Sequence, residues 1–197
     1  LDIVTKAREA AACLPTLSAE TKNEILLAMS ESLVSHTKSI LEANRADVSA
    51  ARKKGLSKAF IDRLTLTDKR IREMADSLCQ IAALPDPIGE VMKAWRRPNG
   101  LWIHKVRTPI GVIAIIYESR PNVTSDCAAL CFKSGNVVIL RGGSETLSSN
   151  RAIYAVLKSV LHQFRIPEGA INLLSTSSRK AVDELLGLHE YVDLVMP

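Results

Sequence analysis

The sequence predicts an α/β protein whose core is a Rossmann-like open parallel sheet with flanking helices. Two short runs, Val112–Tyr117 and Val137–Leu140, are apolar throughout and bounded by turn residues, as is typical of strands buried on both faces. The segment between them, Thr124–Lys133, carries apolar residues at helical spacing. Together the three segments form a strand–helix–strand unit, the building block of a parallel sheet.

Residues 1–88 are predicted to be a helical segment and to form the N-terminal part of the same domain. Ser18, Ser57 and Thr67 stand where helix N-caps are expected, each just before a periodic apolar stretch. The proline-rich turn Pro85–Pro87 ends this segment. It carries no catalytic pattern.

Residues 89–108 are predicted to form a protruding β-hairpin. Asn99-Gly100 lies between two arms rich in β-forming residues, which is a strong hairpin signal. The arms carry Trp95 and Trp102, and a thin hairpin cannot bury two indole rings by itself. We therefore expect the hairpin to pack on another subunit, with packing against its own domain as the alternative.

Residues 109–197 are predicted to form the Rossmann-like core. After the first strand–helix–strand unit we expect a helix over Ser144–Gln163, a strand at Ile171–Leu174, a helix over Ser178–Leu186 and a strand at Val192–Met196. This alternation of strands and helices is typical of a doubly wound α/β domain.

Composition and charge argue against several functional classes. The net charge of +5 is spread over both halves of the chain, so no nucleic-acid partner is expected. No apolar run approaches the roughly 18 residues of a membrane span, and the lack of a targeting pattern indicates a cytoplasmic protein. The four cysteines form no CxxC pair, so we expect free thiols and no metal site.

The loop after the second core strand is the first candidate site, because ligands bind beyond the carboxyl ends of parallel strands. It consists of Arg141, Gly142, Gly143, Ser144 and Glu145, and it is predicted to open a helix. Free N–H groups and the helix dipole there would attract an anion such as a nucleotide phosphate, and the arginine adds charge. A tight strand–helix turn without a ligand would use the same two glycines.

The loop after the first core strand is the second candidate site, and its notable residue is Asn122. A side-chain amide at a strand end can donate to a developing oxyanion. Alternatively, Asn122 only caps the helix that follows. No Ser/His/Asp, HExxH or P-loop pattern accompanies it, and no cysteine stands where a nucleophile is expected at a strand end.

A series of short motifs runs in order along essentially the whole chain. They are Leu41–Asn44 with Asp47, Asp62–Leu64, Asp86–Gly89, Pro109–Val112, Tyr117–Val123, Lys133–Asn136, Leu140–Glu145 with Ser149 and Asn150, and Tyr191–Pro197. With this set the chain resembles the γ-glutamyl phosphate reductase family, a branch of the aldehyde dehydrogenase superfamily.

The resemblance implies an NADPH-dependent reduction of L-glutamate 5-phosphate to L-glutamate 5-semialdehyde, with release of phosphate, in proline biosynthesis. In this family a cysteine thiolate attacks the acyl phosphate, and hydride then reduces the thioester. The resemblance also implies a homo-oligomer assembled through the 89–108 hairpin, with glutamate 5-kinase as a candidate partner.

The same resemblance implies roles for individual residues. Asn122 matches the asparagine that helps to hold the oxyanion, and Arg141 matches a lysine near the adenosine ribose. Ser144 stands where relatives that prefer NAD carry a glutamate, and loss of that carboxylate favours the 2′-phosphate of NADP. Residues 109–197 would then be the NADP-binding core.

One departure from the family pattern matters for activity. The nucleophilic cysteine belongs to a later domain, and none of the four cysteines here matches it, so we expect the 197-residue polypeptide alone to be inactive. Two other functions stay open at this point. One is a non-catalytic dinucleotide-binding or assembly module, and the other is an aldehyde or acyl dehydrogenase with a different substrate.

Overall fold

The computed structural model describes residues 2–176 and 178–197, and the elements below are those of the described residues. The helices are α1 (Asp2–Cys13), α2 (Ala19–Ser35), α3 (Thr37–Lys53), α4 (Lys58–Leu64), α5 (Asp68–Ala83), α6 (Asn122–Lys133), α7 (Leu147–Gln163) and α8 (Arg179–Leu186). The strands are β1 (Val91–Arg96), β2 (Trp102–Val106), β3 (Val112–Ile116), β4 (Val137–Arg141), β5 (Ile171–Leu173) and β6 (Leu194–Met196).

The main sheet contains four parallel strands in the order β5-β4-β3-β6. Helices α6 and α7 are the crossovers from β3 to β4 and from β4 to β5. Because β4 and β6 lie on opposite sides of β3, the strand order reverses there, and such a reversal opens a ligand crevice at the carboxyl ends of the strands. The predicted fold class is confirmed, including the parallel sheet and its flanking helices.

The N-terminal helices share one hydrophobic core with the sheet. Leu14, Ile25 and Leu78 are fully buried in the same cluster as Phe132 and Ile139. None of the described helices is both long enough and apolar enough to cross a lipid bilayer. The N-terminal helices and the sheet therefore pack around one common interior. The boundary at residue 88, between the helical segment and the hairpin, remains a prediction.

The three predicted N-caps are confirmed. The hydroxyl groups of Ser18, Ser57 and Thr67 each accept a hydrogen bond from the backbone N–H three residues further on, at 3.1 to 3.2 Å. These bonds satisfy N–H groups that have no partner within the helix. Local sequence therefore sets where α2, α4 and α5 begin.

The segment that connects α5 to the hairpin is fixed by buried charge. Lys22, only 1% exposed, donates a hydrogen bond from Nζ to Asp86 Oδ2 at 2.8 Å. Burial by itself would raise the pKa of Asp86, but hydrogen bonds from Lys22 and from the N–H of Ile88 hold that pKa below its ordinary value. The Lys133 ammonium donates to the carbonyl oxygen of Ala82 at 2.8 Å.

The hairpin forms a separate two-stranded antiparallel sheet from β1 and β2. Gly100, with φ +87°, donates from its N–H to Arg97 O at 2.9 Å, so the loop is a tight turn that ends in a glycine. Apolar side chains line the exposed hairpin, and the Trp102 side chain is 61% exposed. The other large apolar residues that are exposed on the hairpin are Val91, Met92, Leu101 and Val106.

Helix α7 begins later than the sequence predicts. The predicted start was Ser144, but Ser144–Thr146 forms a 3₁₀ turn and α7 begins at Leu147. The hydroxyl of Thr146 donates to Gly143 O at 2.9 Å, which holds the turn closed. The first turn of α7 is capped from a distant helix, because Asp47 of α3 accepts hydrogen bonds there.

Replacing Asp47 with alanine tests this capping interaction. Asp47→Ala removes three hydrogen bonds to a buried carboxylate and leaves N–H groups of α7 without an acceptor. We expect the free energy of unfolding to fall by about 2 to 3 kcal/mol, measured by urea denaturation. Glu42→Ala removes an exposed carboxylate from the same helix and should change the free energy of unfolding by less than about 0.5 kcal/mol. Equal losses in the two variants would contradict the capping role.

Candidate functional site

A cavity of about 430 Å³ lies at the carboxyl ends of the central strands. We call it the strand-end cavity. It opens where β3, β4 and β6 end, so it lies at the point where the strand order reverses. Its lining residues are Phe60, Ile116, Tyr117, Glu118, Ser119, Arg141, Gly143, Glu145 and Pro197.

The two glycines of the loop after β4 are required by close packing within the chain. A Cβ atom on Gly142 would overlap the side-chain amide of Asn150 and lie 3.0 Å from the ring of Tyr117. A Cβ atom on Gly143 would lie 2.7 Å from Ser119 Oγ. The tight-turn explanation therefore accounts for both glycines without a ligand.

The N-terminus of α7 is already neutralised by a carboxylate of the chain. Asp47 Oδ2 accepts from the N–H of Ser149 at 2.7 Å and from its hydroxyl at 2.6 Å, and Oδ1 accepts from the N–H of Ser148 at 3.2 Å. The sequence had suggested free N–H groups and an available helix dipole at this point. Since a buried carboxylate occupies that position, an incoming phosphate has to rely on other groups.

Arg141 provides such a group. It is the last residue of β4 and lines the strand-end cavity. Its Nε atom is buried and has no hydrogen-bond partner among residues 2–176 and 178–197. A buried donor on a guanidinium carries a free-energy penalty until an acceptor reaches it. This orphaned donor fits a ligand that brings an anionic or hydroxyl oxygen.

Glu145 lines the same cavity, and Ser144 is exposed next to it in the chain. The Ser144 hydroxyl donates to Glu145 Oε1 at 2.8 Å, and the Lys54 ammonium lies 3.8 Å from that oxygen. Burial by itself would raise the pKa of Glu145, but the hydrogen bonds and Lys54 bring it below its ordinary value, so the carboxylate is ionised. The role of Lys54 was missed because Lys54 follows α3 and lies far from Glu145 in the chain.

Asn122 lines a second cavity, of about 300 Å³, on the other side of the loop after β3. We call it the Asn122 cavity. Its lining residues are Asp62, Arg63, Thr65, Leu66, Arg70, Glu73, Met74, Ser77, Arg120, Asn122 and Asp126. The structure thus separates Asn122 from the Arg141–Glu145 loop and places the two candidate sites in neighbouring cavities.

The alternative role of Asn122 as a helix cap is wrong. Pro121 holds the N-cap position of α6, and no side chain caps that helix. Asn122 lies in the first turn, where Nδ2 donates to Asp126 Oδ2 at 3.2 Å. Since an asparagine amide has two N–H donors, one remains for a ligand.

A chain of side-chain hydrogen bonds connects the loop after β3 with the loop after β4. The hydroxyl of Tyr117 bonds to Thr124 Oγ1 at 2.7 Å, and that atom donates to Asn150 Oδ1 at 3.0 Å. Asn150 in turn donates to Thr146 Oγ1 at 3.0 Å. Burial raises the pKa of the Tyr117 phenol well above its ordinary value, so it stays neutral. The network joins the end of β3, helix α6 and the turn before α7.

The cysteines of α6 are not set up as nucleophiles. Burial raises the pKa of Cys127, and it raises the pKa of Cys131 to about 12. A thiol with such a pKa is almost fully protonated near neutral pH, and the thiolate is the reactive form. Neither sulfur lines either cavity.

Comparison with known proteins identifies the family. The model of the aldehyde dehydrogenase family matches residues 2–196. A curated relative from Heliobacterium modesticaldum, named gamma-glutamyl phosphate reductase, is 52% identical over 98% of this chain and 46% of its own length. The chain spans about half the length of the curated relatives that it matches.

Solved structures give the same result. The crystal structure of gamma-glutamyl phosphate reductase from Thermotoga maritima matches with a TM-score of 0.96 and 44% identity, covering 98% of this chain and 47% of that one. The yeast enzyme of that name, from Saccharomyces cerevisiae, matches with a TM-score of 0.91 and 34% identity, covering 98% and 49%. Enzymes of this family use a nicotinamide dinucleotide. The chain belongs to the aldehyde dehydrogenase family.

Proposed function

We propose that this chain acts in the NADPH-dependent reduction of L-glutamate 5-phosphate to L-glutamate 5-semialdehyde, with release of phosphate. The observation that carries the proposal is the 52% identity, over 98% of the chain, to a relative named gamma-glutamyl phosphate reductase. The reaction would serve proline biosynthesis in the cytoplasm. A glutamate 5-kinase would supply the acyl phosphate, which is too labile to accumulate.

The strand-end cavity would hold the adenosine end of NADPH. Arg141 would bind the 2′-phosphate or ribose oxygens through its orphaned Nε donor. Ser144, which is exposed between Gly143 and Glu145, would place a hydroxyl rather than a second carboxylate near that phosphate. Lys54 beside Glu145 offsets the negative charge already in the loop. The bound dinucleotide supplies the hydride.

The Asn122 cavity would hold the reacting end of the substrate. The free N–H of the Asn122 amide would donate to the oxyanion that develops on the acyl carbon. Its other N–H is held by Asp126, which fixes the orientation of the amide before the substrate arrives. The preset orientation avoids reorganisation during the reaction.

A second candidate function rests on the thiols. Because burial keeps the α6 cysteines protonated, this polypeptide would bind the dinucleotide without turning over substrate when it is tested alone. In that case the chain is a non-catalytic binding or assembly module. An aldehyde or acyl dehydrogenase that acts on a different substrate would share the loop from Arg141 to Glu145.

The hairpin would pack on a second copy of the chain. Its apolar side chains are exposed, and Trp102 alone exposes 61% of its surface. Exposed aromatic and apolar groups in one contiguous arm are typical of interfaces. A homo-oligomer assembled through residues 89–108 would cover them.

The activity is tested on the complete gene product. We expect it to reduce NADP⁺ with L-glutamate 5-semialdehyde only when inorganic phosphate is present, which is the reverse of the proposed reaction. Asn122→Ala should lower kcat by about 100- to 1,000-fold, as removal of an oxyanion donor does elsewhere. Its dissociation constant for NADPH should not change. Turnover without phosphate would favour an ordinary aldehyde dehydrogenase and contradict the proposal.

The cofactor assignment is tested by titration with NADPH and with NADH. Arg141→Ala removes the cation and Ser144→Glu adds a repelling carboxylate, so each should raise the Kd of NADPH by about 10-fold, or about 1.4 kcal/mol. The Kd of NADH should change much less. Arg72→Ala, which removes an exposed arginine of α5 outside both cavities, is the control. Equal effects on both cofactors would defeat the assignment.

The oligomer is tested by sedimentation velocity. Trp102→Glu places a charge in the proposed interface and should shift the protein to a smaller species. Lys38→Glu changes an exposed charge of α3, outside the hairpin, and should leave the mass as in the wild type. If both variants sediment like the wild type, the hairpin is not the interface.

A further inference from the structure

We infer that Asn150 is a positioning residue for both cavities, although it lines neither of them. It would fix the loop from Arg141 to Glu145 and, through Thr124, the first turn of α6, which carries Asn122. The inference rests on the proposed function, because the two cavities have to be aligned only if one holds the dinucleotide and the other holds the reacting group.

The hydrogen bonds on the Thr124 side of Asn150 each have a fixed direction. The Thr124 hydroxyl has one hydrogen, which it donates to Asn150 Oδ1 at 3.0 Å. In its 2.7 Å contact with the Tyr117 hydroxyl, Thr124 therefore accepts and the phenol donates. Thr124 and Asn150 are fully buried, so an unpaired donor or acceptor at either residue would carry its full desolvation penalty.

The hydrogen bonds on the Thr146 side also have a fixed direction. Thr146 donates its one hydroxyl hydrogen to Gly143 O at 2.9 Å, so it can only accept from Asn150 Nδ2, at 3.0 Å. Asn150 must therefore present an N–H group to Thr146 and an oxygen to Thr124. At neutral pH an amide is the side chain of this size that offers both groups. The donors run in one direction, from Tyr117 to the backbone carbonyl of Gly143.

Asn150 also shapes the loop after β4 by packing against it. A Cβ atom on Gly142 would overlap Asn150 Nδ2, so the amide fills the space beside the loop backbone. Gly142 directly follows Arg141, which lines the strand-end cavity. On the other side, Thr124 lies in the first turn of α6, two residues after Asn122. One buried amide thus contacts both segments, and its loss would let both of them shift.

The first test replaces Thr124 in the complete gene product. Thr124→Val keeps the shape of the side chain but removes the hydroxyl, whereas Thr124→Ser keeps the hydroxyl and removes a buried methyl group. We expect Thr124→Val to raise the Kd of NADP⁺ and to lower kcat in the phosphate-dependent assay, each by about 10-fold. Thr124→Ser should stay within about 3-fold of the wild type in both, although it also loses packing.

The second test adds Asn150→Asp, which keeps the shape of the side chain but replaces the N–H donor with an oxygen. Alone it should raise the Kd of NADP⁺ by about 10-fold, because Thr146 then faces an acceptor instead of a donor. Combined with Thr124→Val it should again give about 10-fold, because both changes break one network. Effects that multiply to about 100-fold would show independent roles and would overturn the inference.

The control is Thr108→Val, which removes an exposed hydroxyl outside both cavities and should match the wild type. A purely structural role of the network would make Thr124→Val and Thr124→Ser alike in Kd and kcat, which would also overturn the inference. If the wild type binds no NADP⁺ or shows no phosphate-dependent turnover, the proposed function itself fails and the inference falls with it.

Discussion

The carboxylate of Asp47 is the interaction on which the rest of the site depends. It reaches from α3 to the first turn of α7 and satisfies the N–H groups of Ser148 and Ser149. Since α7 begins just after the loop that follows β4, this long-range cap decides where that loop ends. It also supplies the negative charge that the helix N-terminus favours, which leaves Arg141 as the main cation for a ligand.

A second constraint comes from the polar network beneath the two loops. Tyr117, Thr124 and Asn150 link the end of β3 to α6 and to the turn before α7, so one hydrogen-bond network connects the two loops. The close contact of Gly142 with Asn150 and Tyr117 belongs to the same arrangement. The glycines therefore first serve packing, and any contact with a ligand builds on that packing.

Local patterns predicted much of this architecture. The apolar runs of β3 and β4 and the hydroxyl caps of α2, α4 and α5 depend on neighbouring residues, so the sequence contains their signal directly. The start of α7 was predicted too early, because its real cap, Asp47, lies about a hundred residues away in the chain. Asp47 and Asn150 were recognised as parts of motifs, but their roles became clear only from the contacts.

The most direct test is a crystal structure of the complete gene product with NADPH. It should show the adenosine 2′-phosphate in the strand-end cavity, with the Arg141 guanidinium in contact with its oxygens and Asp47 still bound to the N-terminus of α7. A dinucleotide bound elsewhere, with Arg141 Nε still lacking an acceptor, would contradict the account.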